Sequence, residues 1–181
     1  MILGENVGLR AVERKDLGLL RDWRNLQAFR RNFREVRELN MENQEQWFMR
    51  SCVNNPNDFM FIVEDLETGE AIGAAGLLYI NWIIRSADFS FYIGKNEEYV
   101  CADSFALEGA KLLINYGFEQ LNLNKIWMEL YEYDKAKYAV FFPLMLFLAW
   151  VVVFQTRYDA LFIGVYGAIA AVLFFFAAYA S

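Results

Sequence analysis

The sequence predicts a mixed α/β fold of element order β-α-α-β-β-β-α-β, followed by an apolar helical hairpin. Three observations predict it. Residues 86–118, SADFSFYIGKNEEYVCADSFALEGAKLLINYGF, pass from a two-residue period to a helical one across a polar loop. Four further stretches, 7–13, 59–63, 71–80 and 125–133, read as strands, with helical or turn signals between them. Finally, all but two of the Asp, Glu, Lys and Arg residues lie before position 138; beyond it only Arg157 and Asp159 are charged. That boundary divides a charged body, 1–138, from an apolar tail, 139–181.

The elements follow in order. Val7–Glu13 alternates and reads as a strand. Arg14–Asp16 leads into a helix with Leu17, Leu20, Trp23 and Arg24 at helical spacing. Residues 26–39 read as irregular or a second short helix. Asn40 is placed to cap the next helix, with Asn43 and Gln44 nearby and Trp47, Phe48 and Cys52 on its apolar side. Pro56 biases Asn55 away from helix, so 54–58 is a loop. Phe59–Val63 and Ala71–Ile80 form a hairpin around the turn ending at Gly69.

After the connector 81–86, Ala87, Phe89, Phe91 and Ile93 alternate with Asp88, Ser90 and Tyr92, a strand with two unlike faces. Gly94–Glu98 ends it. Asp103 or Ser104 can cap the following helix, whose Phe105, Leu107, Ala110, Leu113, Ile114 and Phe118 can share one face. Such a helix start aims unpaired N–H groups at the loop, which suits a phosphate. In 125–133, Ile126, Met128 and Leu130 occupy one face and Trp127, Glu129 and Tyr131 the other. The strand–helix–strand order makes the last two strands parallel.

Composition excludes several chemistries. A net charge of −6 argues against general nucleic-acid binding, which needs clustered cations. The one basic cluster, Arg30–Arg34, is followed at once by acids and reads as a solvated helix face. Two cysteines, Cys52 and Cys101, make no disulfide framework, so a reducing cytoplasm is expected. There is no histidine, which removes His-based triads and the commonest metal ligand, and no metal site is expected. The start, MILGENVGLR, lacks the basic and apolar regions of a signal peptide.

The segment SFYIGKNEEYV…FALEGAKLLINYGFEQLNLNKIWMELYEYD resembles the centre of a GNAT-family N-acetyltransferase of the RimJ/RimL type. FREVRELNMENQEQWF and GLLYINWIIRSADFSFYIG resemble the same family, so the likeness runs over roughly residues 7–138. It implies a GNAT-like mixed sheet whose strands over 86–93 and 125–133 splay apart to admit the pantetheine arm of acetyl-CoA. Phe91, Tyr92 and Ile93 would then offer main-chain groups to that arm. The family's pyrophosphate loop aligns with Cys101, Ala102, Asp103, Ser104, Phe105 and Ala106. Ala106 fits its last small position; Ser104 stands where Gly is usual, Cys101 where Arg or Gln is usual, and Asp103 brings a negative charge.

The resemblance also implies roles in acetyl transfer. Asp88 stands where family members carry an acidic base. The family's Asn-x2-Ala-x3-Tyr helix pattern, whose Tyr protonates the leaving thiolate, falls on Asp134, Lys137 and Phe141. Phe141 cannot give a proton, and Tyr138 lies one turn early as the substitute acid. Asp134 joins the expected cofactor-binding set. The family's last two strands are missing from the pattern.

The tail holds uncharged runs of sixteen residues, 139–154, and twenty-one, 160–180, joined by a polar loop at 155–159. The second is long enough to span a membrane and the first slightly short. Lys135 and Lys137 precede the first run as positive residues do on a cytoplasmic side. The expectation is an acetyl-CoA-dependent N-acetyltransferase, active or impaired, acting on a primary amine of a small molecule or a protein N-terminus. The tail would hold it at the inner face of a membrane. Alternatives stay open: a truncated, non-catalytic fold acting as a membrane-anchored binding module, or a small membrane protein with an acidic cytoplasmic domain of unrelated use; and, for the tail, strands that complete the sheet instead of entering lipid, or a foreign end fused to a transferase body.

Overall fold

A computed structural model describes residues 1–97, 99–100 and 104–144, with the side chain of Ser104 excepted. The chain divides into two units, Met1–Tyr131 and Glu132–Ser181.

The first unit is a six-stranded sheet with the strands in sequence order. They are β1 (Ile2–Leu3), β2 (Val7–Ala11), β3 (Phe59–Asp65), β4 (Ala71–Asn81), β5 (Ser86–Ile93) and β6 (Lys125–Trp127). Neighbours pair antiparallel except β5 and β6, which run parallel as the strand–helix–strand order requires. β1 is an addition to the expected order; two residues carry no periodic signal.

Between β2 and β3 lie α1 (Leu17–Asn25), α2 (Gln27–Arg30) and α3 (Met41–Trp47). Local sequence fixes their ends. Asn40 and Asn43 form a reciprocal capping box, in which the Asn40 side chain accepts from the Asn43 amide at 2.8 Å and the Asn43 side chain accepts from the Asn40 amide. Leu17, Leu20 and Trp23 are the buried stripe of α1. α4 (Ser104–Asn115) crosses from β5 to β6 and packs on β2, β4 and β5.

The sheet is covered on both faces. Phe91 turns to α4, where a Cβ at Gly109 would lie 3.0 Å from its ring. Tyr92, one residue on, faces Trp23 of α1 and Phe29 of α2. This is the alternation of a strand read through its two coverings.

Two expectations about these elements are corrected. The buried face of α4 is Ala106, Ala110, Leu113 and Ile114, while Phe105 and Leu107 are half-buried and Phe118 is exposed. Small residues let the helix lie close to the sheet, and a wider turn over Tyr116–Gln120 rotates Phe118 outward. The strand expected over 125–133 shortens to Lys125–Trp127, because β5 pairs with it only over Ser86–Asp88. Alternating burial nevertheless continues through Met128 to Leu130, which is why the sequence reads longer than the ladder.

In the second unit residues 135–144 are helical, so the change from charged to apolar sequence at 138 falls within one helix. Val140, Phe141 and Leu144 are buried. Among the described residues no helix is long and apolar enough to cross a membrane. The rest of the expected hairpin, 145–181, lies outside the described residues.

Candidate active site

The site begins where β5 and β6 part. Their ladder ends at Asp88 opposite Trp127, whereas β5 continues to Ile93. The direction of the β5 peptides follows from two bonds at its end. The Gly94 N–H donates to the Ile72 carbonyl of β4 at 2.8 Å, and the Ile93 N–H donates away from β4 to the Tyr99 carbonyl at 2.8 Å. By strand alternation the peptide of Phe91 also turns away from β4, while that of Tyr92 turns toward it. Of the three residues expected to meet a pantetheine arm, Phe91 and Ile93 therefore have the required direction. Tyr92 contributes its side chain to the opposite face.

That side chain is the centre of an aromatic cluster. Its ring lies 5.2 Å from Phe33, 6.2 Å from Trp23 and 6.5 Å from Phe29, each edge-on. Tyr99 joins the cluster at 5.1 Å from Phe29. Burial pushes the Tyr92 hydroxyl up to about 12, the positive charge of Arg24 only partly opposing it. The Arg24 guanidinium stacks on Phe33 at 4.0 Å. Burial holds its pKa below the usual arginine value, against the pull of Tyr92, Glu35 and Tyr99.

Asp88 lies at the end of the β5–β6 ladder with its side chain 4% exposed. It pairs with Arg34, whose Nη2 stands 2.7 Å from Asp88 Oδ2. The same nitrogen is 2.6 Å from Glu129 Oε2, and Arg34 Nε donates to that oxygen at 2.8 Å. The guanidinium also lies 5.5 Å from the centre of the Tyr79 ring. Tyr79 reaches it through a bulge in β4, where the register with β5 shifts between Leu78 and Asn81. Its φ of 52° is a left-handed backbone for a bulky residue, costing about 1–3 kcal/mol. The Tyr79 amide donates to Asp58 at 2.9 Å, which helps hold that conformation. Burial lowers the Arg34 guanidinium, but hydrogen bonds and charge from Glu129 and Asp88 outweigh it and hold its pKa above the usual value.

Arg34, Glu129 and Tyr79 are the site residues that sequence reasoning misses. Arg34 sits in the basic cluster read as a solvated face, and its partners lie in distant strands. The bulge that aims Tyr79 has no signature in LLYIN.

The remaining candidates are distributed as follows. Cys101, Ala102 and Asp103 lie outside the described residues, as does the side chain of Ser104; Ser104 is the first residue of α4, which places the expected Asp103 cap outside as well. Phe105 is half-buried and Ala106 fully buried. In the second unit the Asp134 side chain accepts from the Lys137 amide at 3.1 Å, capping the helix over 135–144. Tyr138 is half-buried, with its ring 6.3 Å from Phe142. Cys52 offers no nucleophile, since burial pushes its thiol up to about 12. Among the described residues no group of three acidic, Cys or His side chains is placed to hold a metal ion.

A buried carboxylate at a strand fork, a second carboxylate and an aromatic face suit the handling of a cationic amine. The comparisons with known proteins point the same way. A family model described as an acetyltransferase (GNAT) domain matches residues 6–141. Spermidine N(1)-acetyltransferase of Vibrio cholerae is 28% identical over 126 residues, 70% of each chain. The Escherichia coli K12 protein of the same name is 32% identical over 124 residues, 68% of this chain and 63% of that relative. Against the crystal structure of the Vibrio cholerae spermidine N-acetyltransferase with CoA and spermine, the TM-score is 0.61 at 28% identity, over 69% of this chain and 71% of that one.

Proposed function

As the chain belongs to the acetyltransferase (GNAT) domain family, we propose that it transfers the acetyl group of acetyl-CoA to a primary amine of a polyamine such as spermidine. The observation that carries this reading is the Asp88–Glu129 pair, one member buried, at the fork where β5 leaves β6. A polyamine offers several ammonium groups, and two carboxylates beside an aromatic ring suit such a cation. The names of the Vibrio cholerae and Escherichia coli relatives support the same substrate class.

In this reading Asp88 removes the proton that makes the ammonium unreactive, and the neutral amine attacks the thioester carbonyl. The outward-turned peptide of Phe91 binds the pantetheine arm in extended form, with Tyr92 packing the strand from behind; the Ile93 N–H is already given to the Tyr99 carbonyl. The segment Cys101–Ala106 and the start of α4 take the pyrophosphate. The leaving thiolate gains its proton from water. Asp134 acts through the helix it caps.

The test is direct. The full chain is incubated with acetyl-CoA and spermidine, and release of CoA thiol is followed beside the mass of the amine. Acetylated spermidine that depends on both reagents supports the reading. Thioester loss without acetylated amine, or none at all, overturns it.

The tail belongs to the proposal as a tether. Its two uncharged runs, 139–154 and 160–180, need an apolar surface to cover them. Recovery of the full chain in the detergent-free supernatant after cell breakage would remove the tether and leave the catalytic reading untouched.

A further inference from the structure

We infer that Asp88, Glu129 and Tyr79 form the binding site of a substrate ammonium group, and that the Arg34 guanidinium is its resident occupant, displaced when substrate enters. The inference rests on the amine-acetyltransferase reading above and names the group of this chain that competes with the amine.

The geometry centres on one atom. Arg34 Nη2 lies between two carboxylates, 2.7 Å from Asp88 and 2.6 Å from Glu129, with the guanidinium over Tyr79 at 5.5 Å. Two acids and a ring face form the recognition set of an ammonium ion. The three walls come from the sheet and its continuation: Asp88 from β5, Tyr79 from the β4 bulge, Glu129 two residues past β6. The occupant comes from the irregular stretch between α2 and α3. Asp88, 4% exposed, is the floor of the site, while Arg34, Glu129 and Tyr79, at 43%, 49% and 60% exposed, form its open side. The guanidinium can leave toward solvent from that side.

Exchange of one cation for another also avoids the large cost of baring Asp88. Removing a counter-charge from beside a buried carboxylate is unfavourable, so the site is filled by Arg34 in the free protein and by ammonium in the complex. The resident cation then selects among amines. A monoamine gains only the exchange. A polyamine brings further ammonium groups that can meet other acids, and so has a surplus with which to displace the arginine.

The experiment compares the full-length wild type with Arg34→Gln, Arg34→Lys and Arg37→Gln. Spermidine KM is measured at saturating acetyl-CoA and spermidine Kd by calorimetry. Arg37→Gln makes the same charge change in the same stretch, but Arg37 is fully exposed and pairs with Glu35. Arg34→Gln should lower KM and Kd by about tenfold, the factor by which a site filled by its own side chain about nine-tenths of the time weakens apparent affinity. Arg34→Lys restores a competing cation and should stay near wild type, and Arg37→Gln should change neither constant. If Gln at 34 prevents folding, Arg34→Met keeps the apolar stem over Tyr79 and serves instead. An unchanged or raised KM in the neutral variant overturns the inference, as does equal tightening by Arg37→Gln, which would trace the effect to net charge. A wild type that acetylates spermidine while Arg34→Gln binds it no more tightly overturns this inference alone. A wild type that acetylates no amine overturns the amine reading and this inference with it.

Discussion

Arg10 grips Asp16 with two parallel hydrogen bonds, Nη1 to Oδ2 at 2.8 Å and Nη2 to Oδ1 at 2.9 Å. Asp16 is 5% exposed and also accepts the Glu13 amide at 2.9 Å, while the Arg10 Nε reaches Glu64 of β3. One guanidinium thus ties β2, β3 and the entry to α1 together. Burial raises the Asp16 carboxyl, but the bonds from Arg10 and from the Glu13 amide outweigh it, and the folded pKa lies below the usual carboxylate value. A depressed folded pKa contributes stability above the unfolded value, about 3.9, and that stability is lost as pH falls through the folded one. Asp16→Asn should therefore lower the melting point at pH 7, by an amount corresponding to about 3 kcal/mol for a broken buried pair. It should also flatten the loss of stability as pH falls below the unfolded value of about 3.9. Thermal melts from pH 7 to below that value check both effects; superimposable wild-type and mutant curves would show that the pair does not hold these strands.

Asp88→Asn keeps the shape of the side chain and removes its basicity. If Asp88 takes the ammonium proton, turnover should fall by about a hundredfold or more, the usual loss for a general base. A melting point measured beside the rate separates chemistry from folding, because the amide also weakens the ion pair to Arg34. An unaltered rate in a folded variant removes Asp88 from the reaction.

What the sequence discloses depends on how near the partners are along the chain. The Asn40 capping box is legible because its members are three residues apart and its geometry is local. The strands over Val7–Ala11 and Ser86–Ile93 are legible because a two-residue period marks a covered sheet. The parallel pairing of β5 and β6 follows from a connection that holds a helix. Asp88 is legible through family resemblance, but its partner is not. Arg34 reaches Glu129 over 95 positions, and nothing in RRNFREVRE separates that arginine from its neighbours. The end of the β5–β6 ladder was hidden for a related reason: residues up to Leu130 keep the burial of a strand after its hydrogen bonds have stopped.

Gly94 is set by a close approach rather than by a turn. A Cβ there would overlap the indole of Trp23, which is buried and edge-on to Tyr92 at 6.2 Å. The Gly94 amide is bonded to Ile72, so the backbone cannot simply withdraw. Gly94→Ala should cost about 1–3 kcal/mol, the range for overfilling a packed core. It should also disturb the aromatic cluster beneath β5. Denaturant unfolding followed by tryptophan fluorescence reads the stability and the displaced indole together. A variant as stable as wild type would mean that Trp23 has room to move.

Phe141 offers a test of how complete the chemistry is. The family pattern places a tyrosine here as the acid for the leaving thiolate, and the helix over 135–144 keeps its N-cap through the bond of Asp134 to the Lys137 amide. Phe141 is fully buried. A thiol has a pKa of about 8.5, so its anion leaves tolerably well at neutral pH even where position 141 gives no proton. Restoring the acid with Phe141→Tyr should raise kcat by about tenfold, below the usual hundredfold return of general acid catalysis because the leaving group is already good. If a hydroxyl at 141 acts on the departing sulfur, as the family pattern implies, KM for acetyl-CoA should change little. Burying a hydroxyl without a partner would cost about 1–3 kcal/mol, so the melting point tells whether the new group has found one. A higher kcat with an unchanged melting point supports a thiolate site at position 141. An unchanged kcat with a lowered melting point would mean that Phe141 only fills the core.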